Sequence, residues 1–465
     1  MWRRKGREKK KTSEAAAPFE KDAHYKTDFL PVSSFRSKEH EGHEGLVDIS
    51  LVIPATHESL GQSTGAEKSL RGASPVDEIF EETPNWESFD EKGVGKAFQE
   101  YEGYCTHPFR GRGAMSYIVA AFETIENLHK QENGHLFKFN HDRCWTPHAA
   151  NEVFASNFIR AAGKRITAPK SRRLTREEAT WLISHYDHFP ADMGTKFEIK
   201  SSTPEALISR FHVMEFINGD TLSKFSREEY AEKLNDEEFL LSLGEIMVLD
   251  LLLGNFDRVG EWLSSGNIIF DQSGKLYGID QALSLGGMDA YSRMAMGEGP
   301  FGQKMYSHMH AIKDQLNDPD QAYSKKTGSI RERHLKLYDR MRELYQSLIE
   351  AFFEDKTHPI FQMTNLNPSM KTNGEEPPVP IQFHERQRQI LQIGMIETML
   401  RLSNMGQSRS RMPEFIMDIS PMEFEAFMSL WNIMEKELKA FKPGVIEQML
   451  KSRKAEVLQG PASVP

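Results

Sequence analysis

Residues 253–282 read LGNFDRVGEWLSSGNIIFDQSGKLYGIDQA, and the reading of this stretch decides the fold. Asn255, Asp257, Arg258, Asn267 and Asp280 stand between apolar runs, with turn chemistry wherever those runs break. Burying a carboxylate without a partner costs several kcal/mol or shifts its pKa until it neutralises. These groups therefore either satisfy one another and the local turns, or they hold something else, such as a metal ion.

Upstream, EEFLLSLGEIMVLDLLL (237–253) has the length and apolar content of a buried helix, and a Gly-Asn turn follows it. Asp257 then falls on a loop leaving the core, where a rigid scaffold positions reactive groups. SGNIIF and KLYGID are strand candidates joined by the turn signal DQSGK. Such a hairpin brings Asn267 and Asp280 to one end. An amide oxygen and a carboxylate there suit a hard cation such as Mg²⁺, which completes its shell with phosphate oxygens and water. Asp257 nearby is suited to orient a hydroxyl nucleophile, which is the division of labour of phosphoryl transfer. A lone N-x-D is more often an Asx-turn. The ordered set, after an apolar helix, is much rarer by chance.

Composition sets the outer limits. A chain of 465 residues exceeds one compact core, and 38% hydrophobic residues permit a large interior. The net charge of −10 and pI near 6.0 argue against a general nucleic-acid binder. Two cysteines, Cys105 and Cys144, in no metal-ligand spacing fit a reducing compartment. The basic start MWRRKGREKKK has no apolar region behind it, and no run reaches the roughly 18 apolar residues of a membrane span. The expectation is a cytoplasmic protein with no stable membrane insertion. Nothing here fixes its oligomeric state.

Residues 1–75 read as a disordered or loosely attached tail, with LVDISLVIPA a possible edge strand. Residues 76–315 form the expected core, 316–455 an α-helical extension, and 456–465 a flexible tail. Within the core, GRGAMSYIVAAF is a turn leading into an apolar run, and GHLFKFN a strand with Phe137 and Phe139 on one face and Lys138 on the other. TPHAANEVFASNFIRAAG is a helix with Thr146 as N-cap and Pro147 at N1. KFEIKS and RFHVMEFINGDTL read as two strands. HLKLYDRMRELYQSLIEAFF, QRQILQIGMIETMLRL and SPMEFEAFMSLWNIMEKEL are helices, the last opening on a Ser420–Glu423 capping box, with PSMKTNGEEPPVP a linker after the first.

The ordered set Asn255-Phe256-Asp257-Arg258, Trp262, Gly266-Asn267-Ile268 and Ile279-Asp280 resembles the actin-fragmin kinase catalytic domain family, atypical kinases related to the phosphatidylinositol kinases. HLFKF resembles the strand supplying the nucleotide lysine, which makes it Lys138. NEVFAS resembles the helix supplying its glutamate partner, Glu152, and VMEFINGDTL the hinge whose backbone at Glu215, Phe216 and Ile217 meets adenine. The resemblance spans about residues 110 to 290. It implies an α+β, bilobal protein-kinase-like fold, with a small mixed α/β N-lobe to about residue 217 and a larger helical C-lobe. It also implies ATP and Mg²⁺ as cofactors, Asn267 and Asp280 as metal ligands, and Asp257 and Arg258 as catalytic residues. A protein Ser or Thr hydroxyl is the implied acceptor, with actin the family's example.

Each assignment has a plainer rival. Lys196 and Lys200 compete with Lys138, Glu152 suits a first helical turn by itself, and Arg258 suits an ion pair that ties the loop together. Trp262 is as well explained by packing as by substrate contact. The loop from Asp257 to Asn267 is longer than the protein-kinase H-R-D-x-x-x-x-N, no H-R-D, D-F-G or A-P-E element occurs, and GRGAMS lacks a full G-x-G-x-x-G. A phosphatidylinositol-type lipid kinase, a catalytically silent binding module and a nucleotidyl transferase all remain open.

Overall fold

The computed structural model describes residues 93–107, 116–141, 149–255, 258, 265–285, 287–288, 327–363, 365–366, 381–405, 419, 421–441 and 444–458. Asp257, Trp262, Thr146 and Pro147, the turn before Ser116, the linker 368–380, Ser420 and the tail strand at 46–55 lie outside these residues.

A five-stranded antiparallel sheet opens the described chain. Its strands are β1 (Gly103–His107), β2 (Ser116–Phe122), β3 (Gly134–Asn140), β5 (Ser171–Arg173) and β6 (Phe211–Glu215), in the order β1-β2-β3-β6-β5. Alternation in β3 works as its sequence predicts. Phe137 and Phe139 enter a core with Phe98, Phe189, Phe211 and Val213, while Lys138 and Asn140 point to the opposite face. Between β2 and β3 lies the short α1 (Ile125–Lys130). After β3 comes α2 (Ala149–Ala162), buried along nearly its whole length.

Three further helices separate β5 from β6: α3 (Arg176–Ser184), α4 (Met193–Ser201) and α5 (Pro204–Arg210). The expected strand KFEIKS is part of α4, which corrects the sequence reading. Asp192 caps this helix, its side chain accepting from the Thr195 amide at 2.8 Å, and Thr195 and Ile199, four apart, form its buried side. The K-F-E-I-K alternation only imitates a strand, since Phe197 is 70% exposed. A residue spacing of four with an N-cap outweighs a short period of two.

The second sheet has the order β4-β9-β8-β7, from β4 (Ile166–Thr167), β7 (Gly219–Thr221), β8 (Ile268–Asp271) and β9 (Leu276–Gly278). β8 and β9 are the expected hairpin, and Asp271 accepts from the amides of Ser273 and Lys275 to shape its turn. α6 (Arg227–Lys233) and α7 (Glu237–Leu253) precede it. α7 is apolar on all sides because it runs through the larger core, and Gly254 at φ 69° ends it in the left-handed region.

That core is completed by α8 (Thr327–Phe353), the single turn α9 (Ile360–Met363), α10 (Glu385–Met405), α11 (Pro421–Lys439) and α12 (Val445–Leu458), with a small strand pair at 365–366 and 381–382. α7 and α10 pack at close range through two glycines. A Cβ at Gly244 would stand 2.3 Å from the Leu391 carbonyl, and one at Gly394 would stand 2.5 Å from that of Leu241. At the same crossing Glu245 and Glu397, both buried, gather Arg165, Arg401 and Lys454 into one ion-pair network. The described residues thus form a mixed α+β protein with a five-stranded sheet, a four-stranded sheet, a small strand pair and many helices, compatible with a kinase-like fold. Among the described residues no helix is long and apolar enough to cross a membrane.

Candidate active site

Lys138 is the centre of the site. Its ammonium donates to Glu152 Oε2 at 2.6 Å and to Asp280 Oδ1 at 2.6 Å. Three elements thus meet at one nitrogen: β3, the neighbouring α2 and, 142 residues from Lys138, the end of the β8–β9 hairpin. Lys196 and Lys200, the rival lysines, sit on α4, where they contact the Asp187 carbonyl and the Tyr186 hydroxyl.

Glu152 is fully enclosed and satisfied on both oxygens, because Asn140 donates to Oε1 at 2.6 Å. Burial raises its pKa above the usual carboxylate range; Lys138 opposes that rise and the charge of Asp280 adds to it. His212 faces Lys138 across the β3–β6 register, with Nε2 3.4 Å from Glu152 Oε2. Burial, and then the charge of Lys138, hold this imidazole far below its ordinary pKa, so it is neutral. Sequence reasoning passed over Asn140 and His212. The period of two that puts Asn140 beside Lys138 was readable, whereas the neighbour across β6 needs the strand register.

Asp280 differs from Glu152. Its side chain is 46% exposed, so the carboxylate that Lys138 holds is also open to solvent. Burial pushes its pKa up, but Lys138, and more weakly Arg258, bring it below the ordinary value, so it is ionised at neutral pH. Its backbone lies at φ 56°, in the left-handed region that non-glycine residues seldom enter. Two bonds hold it there: Asn255 Nδ2 donates to its carbonyl at 3.3 Å, and Arg258 donates to the preceding Ile279 carbonyl at 3.1 Å.

Arg258 is completely buried. It donates to both oxygens of Asp250, at 3.0 and 2.5 Å, and to Gln281 Oε1. It ties the end of α7 to the segment carrying Asp280. Asp250, the partner that sequence reasoning did not single out, has its pKa raised from 3.8 to about 6 by burial, which outweighs the guanidinium.

Asn267 is buried at the open end of the hairpin, where the Ile279 amide donates to its carbonyl at 3.0 Å. Asn267 and Asp280 are thereby neighbours at one mouth. An ionised, partly solvent-exposed carboxylate beside a buried amide fits a hard cation that takes few protein ligands. Among the described residues no group of three or more His, Cys, Asp or Glu forms a richer metal cluster.

At the hinge, the amides of Glu215 and Phe216 donate to the Lys170 and Gly134 carbonyls, each at 2.9 Å. Ile217 makes no such backbone bond among the described residues.

No curated protein matches the chain. Residues 118–275 match the family model described as actin-fragmin kinase, catalytic. The matched span includes Lys138, Glu152, the hinge, Asp257, Arg258 and Asn267, and stops five positions before Asp280. The segment that carries Lys138 and Glu152 is thus similar to the actin-fragmin kinase catalytic domain, the family that its motifs resemble.

Proposed function

We propose that this chain is an ATP-dependent atypical protein kinase, cytoplasmic and bilobal, that transfers the γ-phosphate of Mg-ATP to a Ser or Thr hydroxyl of a protein. The small lobe is the five-stranded sheet with α2, ending near residue 217, and the large lobe is the helical remainder. The observation that carries this reading is the triple junction of Lys138, Glu152 and Asp280. A lysine held by an enclosed glutamate, with a second, ionised carboxylate open to solvent, suits nucleotide phosphates and their cation.

Lys138 holds the α- and β-phosphate oxygens, and Glu152 fixes its ammonium. Ile217 offers its amide to adenine. Asn267 and Asp280 are the ligands for Mg²⁺, which when bound neutralises phosphate charge. Asp257 orients the acceptor. The hydroxyl oxygen bonds to the γ-phosphorus as the bond to the β–γ bridging oxygen breaks; ADP leaves, and the hydroxyl proton passes to Asp257. Arg258 acts through position, as the brace of the Asp280 segment.

A protein acceptor is favoured over an inositol lipid. The stretch after Asp280, LSLGGMDAYSRMAMGEGPFG (283–302), has Arg293 as its only basic residue, too little charge for an anionic headgroup. Actin is the acceptor to try first. The test supplies ATP labelled at either the γ- or the α-phosphate, with actin and a lipid mixture as separate acceptors and Asp257→Ala as control. Label from the γ position on protein, lost in the control, supports the reading. Label from the α position makes the protein a nucleotidyl transferase, and binding with no transfer makes it a silent module.

A further inference from the structure

α2 carries Glu152, yet much of what α2 rests on lies about 270 residues further along the chain. Phe154 and Phe158 project from α2 onto α11. Phe427 meets them edge-on, at ring-centre distances of 5.4 and 5.0 Å, and Trp431 meets Phe158 at 5.5 Å. Phe424 closes on Phe154 at 5.9 Å. Edge-to-face pairs of this kind contribute beyond their buried area and fix orientation as well as distance.

The polar contacts are directed at the same helix. Asn151, directly before Glu152, donates to Glu423 in the first turn of α11 and to the Leu283 carbonyl at 3.2 Å, three residues past Asp280. At the other end of α2, Arg401 from α10 donates to the Ala162 carbonyl. α11 is itself fastened to α10, since Trp431 Nε1 donates to the Leu402 carbonyl at 3.2 Å. Both ends and one face of α2 are therefore held by the C-terminal helices.

We propose that α11 is a positioning element for Glu152, so that the working catalytic unit extends to Lys439 although the family match stops at 275. The physical reason is reach. Glu152 and Lys138 meet at 2.6 Å, and a helix that shifts by one or two ångströms breaks that contact. The N-terminal sheet meets α2 through β5 and β6. α11 supplies a separate aromatic wall, and Asn151 joins α2, α11 and the segment after Asp280 at a single side chain. This proposal rests on reading Lys138 and Glu152 as the nucleotide pair.

The test uses the full chain with Phe427→Ala, Glu423→Ala and the apolar replacement Phe427→Leu. Amide exchange is followed in α2, with α7 as internal reference, and kcat/KM for Mg-ATP is measured alongside. Phe427→Ala and Glu423→Ala should each raise exchange in α2 at least tenfold with α7 unchanged, and lower kcat/KM about tenfold or more. Phe427→Leu should restore most of both. Unchanged exchange in α2, or exchange rising equally in α2 and α7, would overturn the proposal and leave α11 as general support. Selective loosening of α2 with nucleotide affinity and transfer untouched would also overturn it, but by removing the nucleotide role of Glu152 rather than the clamp.

Discussion

Arg258→Met tests whether the Asp280 segment is braced by a buried ion pair. Asp250 and Arg258 are both inaccessible to solvent, and the guanidinium meets both carboxylate oxygens. Even so, burial lifts the Asp250 pKa from 3.8 to about 6. A shift of this size corresponds to about 3 kcal/mol. The folded carboxyl binds its proton more tightly than the unfolded one. Its contribution to stability is therefore complete below 3.8 and is lost as pH rises through about 6. Removing Arg258 takes away the charge that restrains this rise, so the window of loss extends to higher pH.

The variant should be modestly destabilised near about pH 5, with the penalty growing toward about 3–5 kcal/mol near about pH 8. Adding Asp250→Asn removes the titrating group, and the extra loss at high pH should disappear. Urea unfolding of the wild type, both single variants and the double variant across that range measures all four corners of the cycle. A penalty for Arg258→Met that does not change with pH, or a double variant as pH-sensitive as the single, would refute the reasoning.

The remaining predictions concern the site and its frame. Lys138→Met should abolish Mg-ATP binding in a protein that still folds but is less stable, because enclosed Glu152 loses its cation, while Glu152→Gln should lower kcat/KM for ATP by about 10²-fold; calorimetric titration and steady-state rates read both. Retained affinity in Lys138→Met would remove Lys138 from the phosphate site. Ile217→Pro deletes a hinge amide and should weaken ATP binding about tenfold while leaving inorganic triphosphate binding unchanged, a split that competition titration reads directly. Gly244→Ala should destabilise by about 1–3 kcal/mol in chemical unfolding, because its Cβ would meet the Leu391 carbonyl at 2.3 Å; no loss would mean the α7–α10 crossing yields easily.

Elements whose signals are local were legible in the sequence. β3 announces itself by alternation, α7 by an uninterrupted apolar run, and the β8–β9 hairpin by Asp271 and Gly274. The triple junction was reachable only through motif order, since nothing local says that residue 138 meets residue 280. α4 misled because its short alternating run hid a capped helix. Asp250 was hidden by its own surroundings: inside a leucine-rich run it reads as one polar interruption, and only the fold reveals the arginine eight residues on. The seating of α2 on α11 was out of reach, because tertiary contacts across that separation leave no trace in a single sequence.

The buried pair, the amide contact and the strained residue share one geometric purpose. Replacing a buried ion pair by apolar residues is often neutral or stabilising, so Asp250 and Arg258 are poorly explained as a source of stability. A left-handed aspartate costs about 1–3 kcal/mol and persists only when its surroundings over-determine it. Arg258 reaches the carbonyl just before Asp280, Asn255 reaches the carbonyl of Asp280 itself, and Lys138 holds its carboxylate. Three bonds, two from the segment after α7 and one from β3, fix the direction of one half-exposed carboxylate, at two expenses of stability that packing alone does not require. Such an arrangement makes sense where the direction of that carboxylate decides what the site can bind.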